Sequence, residues 1–191
     1  MASILLAAPA AEPITLAEAK LYLRVEHADD DALITALIAA ARTHVETRTR
    51  RALITQIWRF IFDRWPHDGR LSLARAPARE VAAARVYDNE DVAQDIDVQA
   101  FTVDKAAAPA VVGFAPWAVS FPGRSLAGIE VDVAFGYGAS AVDVPEPLRH
   151  AIKLLLAHWY ENRGVTASAG ESAPMAAGVE ALIAPYRMLS L

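Results

Sequence analysis

The segment from Val144 to Gly164 carries the longest helical pattern in the chain and limits the folds that the chain can adopt. Pro145 and Pro147 suit a first helical turn, in which a missing backbone N–H breaks no hydrogen bond. Apolar residues then recur at helical spacing and form one continuous stripe, at Leu148, Ile152, Leu155, Leu156 and Trp159. Gly164 suits a C-cap. Because one whole face of this helix is apolar, other elements have to cover it.

Two further helices are predicted near the start of the chain, and one near its end. Thr15 and Glu18 have the spacing of a capping box, and the helix that they begin is expected to end near Glu26 or His27. Asp29–Asp31 places carboxylates at the start of a second helix. Its apolar stripe is Leu33, Ile34, Leu37, Ile38, Ala41 and Val45. A Ser-, Ala- and Gly-rich linker at 165–173 precedes the last helix, at 174–184.

The middle of the chain has the period-two pattern of β-strands. Ile54–Asp63 is rich in β-branched and aromatic residues, which favour strands. In Gly128–Tyr137, a buried face is predicted for Ile129, Val131, Val133 and Phe135, and a solvated face for Glu130, Asp132 and Ala134. Shorter strands are predicted at Arg70–Leu73, Val81–Tyr87, Asp97–Asp104, Ala110–Phe114 and Ala118–Phe121. Such strands, separated by turns, indicate a small antiparallel sheet or sandwich.

The order of these elements predicts an α+β fold. Residues 13–52 and 141–191 are expected to form one discontinuous helical bundle, and residues 53–140 an inserted antiparallel β domain. Residues 1–12 show no periodicity and are predicted to be a flexible arm. No membrane helix is expected, because the longest uncharged run, Ala106–Gly123, is interrupted by prolines.

Composition excludes some functions. The chain has no cysteine, so thiolate catalysis and cysteine-bound metals are excluded. Its net charge of −5 argues against general nucleic-acid binding, which usually needs a basic excess. That charge is compatible with a protein that DNA passes without binding, since acidic groups repel phosphate.

Candidate catalytic and metal-binding residues are few. His158 and Glu161, with His150 eight residues before His158, would supply half of a metal site on the long helix. No third ligand has a useful spacing, and neither phosphate-binding loops nor a nucleophile elbow occur. A role without catalysis or cofactor is therefore favoured, with a metal- or ligand-binding helical enzyme as the alternative.

Several residues have the pattern of interaction surfaces. Arg48, Arg50 and Arg51 end the second helix, where they either compensate the helix dipole or contact a partner. Trp65 and Trp117 stand beside prolines in predicted loops and are candidate interface anchors. The apolar tail Tyr186–Leu191 would be unfavourable if exposed in a monomer, which favours its insertion into a neighbouring molecule.

Four stretches occur in a characteristic order: P-I-T-L-A-E-A-K-L-Y-L-R-V at 13–25, D-D-D-A-L-I-T-A-L-I at 29–38 with T-R-T-R-R at 47–51, G-Y-G followed by V-P-E-P-L-R-H-A-I-K-L-L-L-A-H-W-Y-E-N-R at 136–163, and A-L-I-A-P-Y-R at 181–187. Together they resemble the head–tail connector proteins of tailed phages and gene transfer agents, in the longer branch that carries a β insertion.

The resemblance implies a head-completion adaptor in the neck of a virion or phage-like particle. Such a protein forms a ring, typically of twelve copies, below the portal protein, extends the DNA channel and offers a platform to the stopper. It is present in the bacterial cytoplasm during assembly. An interaction module of the same fold that is unrelated to particles is the other alternative. The resemblance does not separate a phage from a gene transfer agent.

The resemblance also gives the candidate residues a role. The C-terminal tail is predicted to dock onto the portal protein, through Tyr186, Arg187, Met188, Leu189 and Leu191. Ring or portal contacts are predicted for Arg48, Arg50, Arg51, Trp65 and Trp117.

Overall fold

The computed structural model describes residues 2–162 and 172–188, and the fold class is α+β, as the sequence predicts. The chain divides into two compact units. The β unit contains Met1–Ala10 and Thr55–Tyr137, and the helical unit contains Ala11–Ile54 and Gly138–Leu191.

The helical unit contains all four α-helices of the described residues. These are α1 (Leu16–Leu23), α2 (Asp31–Thr49), α3 (Glu146–Glu161) and α4 (Ser172–Ile183). α3 packs against the other three helices, and α1 and α4 both contact α2. The long segment whose apolar stripe limits the fold is therefore the central element of this unit. The predicted C-cap Gly164 lies outside the described residues, and so does most of the predicted linker at 165–173.

The helix ends follow from local chemistry. The capping box at α1 is confirmed: the Glu18 N–H donates to the Thr15 hydroxyl (3.1 Å), and the Thr15 N–H donates to the Glu18 carboxylate (3.0 Å). α1 ends at Leu23, three or four residues before the predicted end. The reason is that Arg24 takes a left-handed conformation with φ of 57°, which terminates a helix.

The predicted apolar stripes of the two longest helices form the core of the helical unit. The buried members are Ile34, Ile38, Ala41 and Val45 of α2 and Leu148, Ile152, Leu155 and Leu156 of α3. Leu33 was assigned to the buried stripe, but 36% of its surface is exposed. Trp159 is half-buried, with its ring edge-on to His44.

The β unit contains two antiparallel sheets. The five-stranded sheet has the order β1-β2-β8-β4-β5, and the three-stranded sheet has the order β3-β7-β6. The strands are β1 (Ala2–Ala7), β2 (Gln56–Phe62), β3 (Arg70–Leu73), β4 (Ala78–Tyr87), β5 (Ala93–Ile96), β6 (Phe101–Asp104), β7 (Ala110–Phe114) and β8 (Ile129–Phe135). β4 packs against β6, which brings the two sheets together.

The N-terminal segment differs from its prediction as a flexible arm. Residues Ala2–Ala7 form β1, which pairs antiparallel with Ile57–Ile61 of β2. All six residues of β1 are exposed, and an edge strand without a buried face has no period-two pattern. For this reason no strand is predicted there from the residue pattern.

Two other assignments in the β region were wrong. Residues 97–100 form a 3₁₀ turn before β6, and β5 lies earlier, at Ala93–Ile96. The predicted strand Ala118–Phe121 is absent, and Pro116–Ala118 forms a 3₁₀ turn. A proline at the first position favours a turn of this kind over a strand.

The strand β8 has a buried apolar face, as predicted, but its other face is not solvated. Ile129, Val131, Val133 and Phe135 are all fully buried. Asp132 and Ala134, for which a solvated face is predicted, are only 6% and 5% exposed. The cause is that β8 is the central strand, between β2 and β4, and that charged side chains of its neighbours cover the second face.

Within the described ranges, no helix has both the length and the apolar character that a membrane span requires.

Candidate functional site

The C-terminal end of α2 holds the C-terminal segment of the chain. The Arg51 side chain donates from Nε to the Tyr186 carbonyl (2.7 Å), and the Met188 N–H donates to the Thr49 carbonyl (3.2 Å). The Thr49 side chain is fully buried, and its hydroxyl donates to the Val45 carbonyl (2.7 Å). The segment after α4 is thus held by two hydrogen bonds to residues at the end of α2, which lie far earlier in the sequence.

Three charged side chains reinforce this attachment. Glu180 of α4 accepts a hydrogen bond from Arg187 (3.0 Å) and forms an ion pair with Arg48 of α2. Between a third and a half of each of these side chains is exposed, so the pairs remain accessible to solvent. Arg50, which follows α2, is exposed and left-handed with φ of 56°.

A buried carboxylate fixes the exit from α2. Glu46 is 6% exposed, and its two oxygens accept from the Leu53 N–H (2.8 Å) and from Arg42 (2.9 Å). Arg42 also donates to Glu12 (2.8 Å). Burial lowers the pKa of Arg42, but the hydrogen bonds and charges of Glu12 and Glu46 outweigh it and raise that pKa. This arrangement sets the direction in which residues 48–53 leave the helix.

Three of the predicted portal-docking residues, Tyr186, Arg187 and Met188, are therefore held by their own chain. Tyr186 and Met188 are half-buried and Arg187 is exposed. Leu189 and Leu191 lie outside the described residues. Of the predicted arginines, Arg48 and Arg51 bind the C-terminal segment directly, a link that sequence reasoning did not find. The docking role itself stays a prediction.

The two tryptophans chosen as interface anchors have opposite environments. Trp65 is 5% exposed, packs on Phe101 and Phe114, and donates from Nε1 to the Ser120 carbonyl (2.8 Å). Trp65 belongs to the core of the β unit, so its ring is not presented on the surface of the free chain, and its interface role stays a prediction. Trp117 is 89% exposed, and its interface role stays a prediction.

The second face of β8 carries a network of charges. Arg59 of β2 forms a bidentate pair with Asp132, at 2.7 and 2.9 Å, and lies 3.0 Å from Glu130. Arg85 of β4 approaches Glu130 at 3.5 Å. The hydrogen bonds that Arg59 donates to the Asp132 carboxylate raise the pKa of Arg59 above its ordinary value. All these groups pair with one another within the β unit, so the network has a structural role.

An open groove lies along the outer side of α1. It has a volume of about 640 Å³ and is lined by Ala17, Lys20, Leu21, Arg24, Val25 and Glu26. Leu21 is 82% exposed. Sequence reasoning missed this groove. Ala17 and Leu21 lie one turn apart on α1, away from the buried Ala19, whereas Val25 lies beyond the end of the helix.

The half metal site suggested by the sequence is not completed. His158 lies 3.1 Å from the Asn162 amide, and Glu161 is exposed. The His150 ring is edge-on to Tyr22. In the described part of the chain, no three His, Asp or Glu side chains are grouped to hold a metal ion. The structure therefore offers no support for the metal-enzyme alternative.

Comparisons with known proteins agree on one family. Residues 13–92, which span α1, α2 and β2–β4, match the family described as "Phage gp6-like head-tail connector protein". No curated protein sequence matches the chain.

Solved structures match the whole chain. A chain in the neck of an empty GTA particle, computed with C6 symmetry, is 26% identical and has a TM-score of 0.82. A chain in the virion of the native gene transfer agent particle is 27% identical, with a TM-score of 0.81. A chain in the neck of the native particle, computed with C12 symmetry, is 26% identical, with a TM-score of 0.81. Each match covers 100% of this chain and 97% of the other.

The fold and the matches define a structural protein of a phage-like particle. The resemblance found in the sequence is confirmed, because the family match and the structural matches both support a head–tail connector of the phage and gene-transfer-agent type.

Proposed function

We propose that this chain is a non-enzymatic adaptor in the neck of a phage-like particle, where it forms a ring between the portal protein and the stopper. One observation carries the proposal: the whole chain, including both units, matches chains solved in the necks of gene transfer agent particles. The expected localisation is the particle neck, after assembly in the bacterial cytoplasm.

The symmetry of those necks supports a ring of twelve copies, since one was computed with C12 symmetry and another with C6. In a cyclic ring each copy contacts two neighbours through different faces, because the contact is heterologous and closes by rotation. The chain therefore needs two distinct complementary surfaces.

Docking onto the portal protein is assigned to the C-terminal segment. Its backbone at Tyr186 and Met188 is fixed to α2 through Arg51 and Thr49, so that these two residues are held in place before a partner binds. Ordering in advance reduces the entropy lost on association. Tyr186, Arg187 and Met188 would present side chains to the portal, together with Leu189 and Leu191.

The charge distribution supports a channel through which DNA slides. The net charge is −5, and acidic surfaces repel phosphate. Many arginines are engaged with carboxylates of the same chain, namely Arg42, Arg48, Arg59, Arg85, Arg124, Arg149 and Arg187. Such pairing leaves fewer cations to hold the DNA backbone, which is what passage without sequence-specific binding requires.

The test of portal docking is a truncation that removes Tyr186–Leu191 in a strain that produces the particles. We expect heads without this adaptor and without tails in electron micrographs. A matched control is Val142→Ser, which changes an exposed apolar residue elsewhere in the helical unit and should give complete particles. Complete, tailed particles from the truncation would refute portal docking.

The ring is tested separately by reconstruction of the neck from particles with the unchanged chain. Twelve copies of the described fold below the portal are expected. A neck that lacks this chain would refute the proposed function as a whole.

A further inference from the structure

We propose that the loop 115–128 of one copy docks into the α1 groove of the neighbouring copy and so forms the contact between adjacent subunits. This inference rests on the proposed ring function. It assigns the two distinct faces of a heterologous contact to one loop of the β unit and one groove of the helical unit.

The loop 115–128 is fixed from within. The Gly123 N–H donates to the Tyr87 carbonyl (2.8 Å), and the Ala127 N–H donates to the Asp63 carboxylate (2.8 Å). The Arg124 guanidinium stacks over the Tyr87 ring at 3.8 Å. A Cβ at Gly123 would lie only 2.4 Å from a backbone nitrogen of the 88–91 turn, so the close approach requires glycine. The loop therefore has one conformation in the free chain.

This fixed loop nevertheless exposes three large apolar side chains. Trp117 is 89% exposed, Phe121 79% and Leu126 73%. Isolated exposed apolar residues are common, but three in ten residues on an ordered loop indicate an interaction site. Tryptophan is among the residue types that contribute most to binding energy at protein interfaces.

The α1 groove has the chemistry that such a loop requires. Its volume of about 640 Å³ lies within the range of about 300–1,000 Å³ that is typical of binding pockets. Three of its six lining residues are apolar, namely Ala17, Leu21 and Val25. Arg24 is exposed at its edge, and a guanidinium binds favourably over the face of an aromatic ring.

Charge distinguishes the loop as the occupant of this groove. The loop packs against the acidic turn Asp88–Asp91, in which the Asp88 carboxylate accepts the Glu90 and Val92 N–H groups (both 2.9 Å). Glu90 and Asp91 are exposed. In the groove lining Lys20 is already paired with Asp31 (2.6 Å), and Glu26 adds a negative charge. On the loop side Asp91 is paired with Arg124 (3.2 Å). The charge complementarity therefore rests on the exposed Arg24 of the groove and the exposed Glu90 beside the loop. Because each copy carries both surfaces, the same contact repeats around a ring.

The absence of cysteine allows a direct test in assembled particles. The double variant Trp117→Cys with Leu21→Cys is produced in the particle-forming strain and treated with a short bis-maleimide. We expect a ladder of covalent oligomers of this chain on denaturing gels, up to the full ring. The two single variants, treated in the same way, should give no ladder.

The matched control pairs Trp117→Cys with Val142→Cys, an exposed apolar residue outside the groove, and should give no ladder either. Reconstruction of the necks establishes that each variant has assembled. If necks with the double variant contain the ring but no ladder forms, the inference is wrong and the ring function remains. Cross-linking of position 117 to a different neck protein would also overturn it.

A second measurement does not depend on cysteine geometry. Arg24→Glu should reduce assembly of the ring, and combination with Glu90→Arg should restore part of it. Equal assembly of the wild type and Arg24→Glu would contradict the assignment of this groove.

Discussion

The side chain of Arg51 donates a hydrogen bond of 2.7 Å to the backbone carbonyl of Tyr186, a residue 135 positions later in the chain. Through this bond the end of α2 positions the segment that we propose to bind the portal protein. The charge of Arg51 compensates the dipole of α2, and its side chain also donates a hydrogen bond to a carbonyl near the C-terminal end of the chain.

Arg51→Ala should release the C-terminal segment without unfolding the helical unit. Loss of a hydrogen bond from a charged group costs about 1.5 kcal/mol, so exchange of the Met188 amide should accelerate roughly tenfold. Hydrogen exchange measured by mass spectrometry of the C-terminal peptide checks this. Arg50→Ala removes an exposed neighbour and serves as the control. Equal exchange in the wild type and Arg51→Ala would show that Met188 is held without this bond.

The two tryptophans predict opposite phenotypes. Trp65→Ala should destabilise the β unit by about 3–5 kcal/mol, because it removes a buried ring packed on Phe101 and Phe114. Trp117→Ala should change the free energy of unfolding by less than about 0.5 kcal/mol, since its ring is exposed. Urea unfolding of the purified variants checks both values. A large loss of stability in Trp117→Ala would mean that the loop is structural.

Asp132→Ala should destabilise the β unit by about 2–3 kcal/mol. This is less than the ~3–5 kcal/mol for a fully buried pair, because Glu130 still faces Arg59. Asp95→Ala is the control: Asp95 lies 3.7 Å from Arg85 with 89% of its side chain exposed, and such surface pairs contribute about 0–1 kcal/mol. Thermal unfolding followed by circular dichroism measures both. Similar effects of the two substitutions would contradict a special role of the Arg59–Asp132 pair.

Glu18 should make the stability of the helical unit dependent on pH. Its pKa lies below the ordinary value of 4.5, first because the Thr15 N–H donates to its carboxylate and also because Arg149 and Lys153 are close. A folded-state pKa below the unfolded value stabilises the protein above about pH 4.5, and this contribution is lost as the pH falls through the folded pKa.

The comparison of the wild type with Glu18→Gln tests this dependence by urea unfolding between about pH 3 and pH 7. The stability difference should be constant near neutral pH and should shrink once the pH falls below the ordinary value of 4.5. Glu80→Gln, at an exposed position of β4, is the control. A difference that does not change with pH would mean that the charge of Glu18 is unimportant.

Most of the helical unit could be predicted because its determinants are local. The capping box of Thr15 and Glu18 acts within the first turn of α1. The apolar stripe of α3 is contained in that one helix. The end of α1 could not be predicted, because it depends on the left-handed conformation of Arg24. Arginine rarely adopts this conformation, so its presence in the sequence does not indicate it.

The β unit was harder to predict because a strand depends on its partner. β1 has no alternating pattern, and only its pairing with β2 makes it a strand. Trp65 and Trp117 have the same local context, a neighbouring proline, yet one is in the core and the other is exposed. Nothing within a few residues of either ring distinguishes them, because the packing partners of Trp65 lie 36 and 49 positions later.

The candidate surfaces were partly visible in the sequence. The basic end of α2 and the C-terminal segment were identified, but the bond that joins them was not. The α1 groove was missed because Leu21 was not assigned to a face, and because Val25 lies beyond the end of α1 and so belongs to no helical pattern.

The polypeptide crosses between its two units three times, after Ala10, after Ile54 and after Tyr137. A continuous fragment 55–137 would omit β1 and leave the backbone of β2 without the partner that covers it in the whole chain. Bare strand edges of this kind pair with other molecules, so such a fragment would self-associate. Each unit consists of two separate stretches of the chain, so neither can be produced as one continuous fragment.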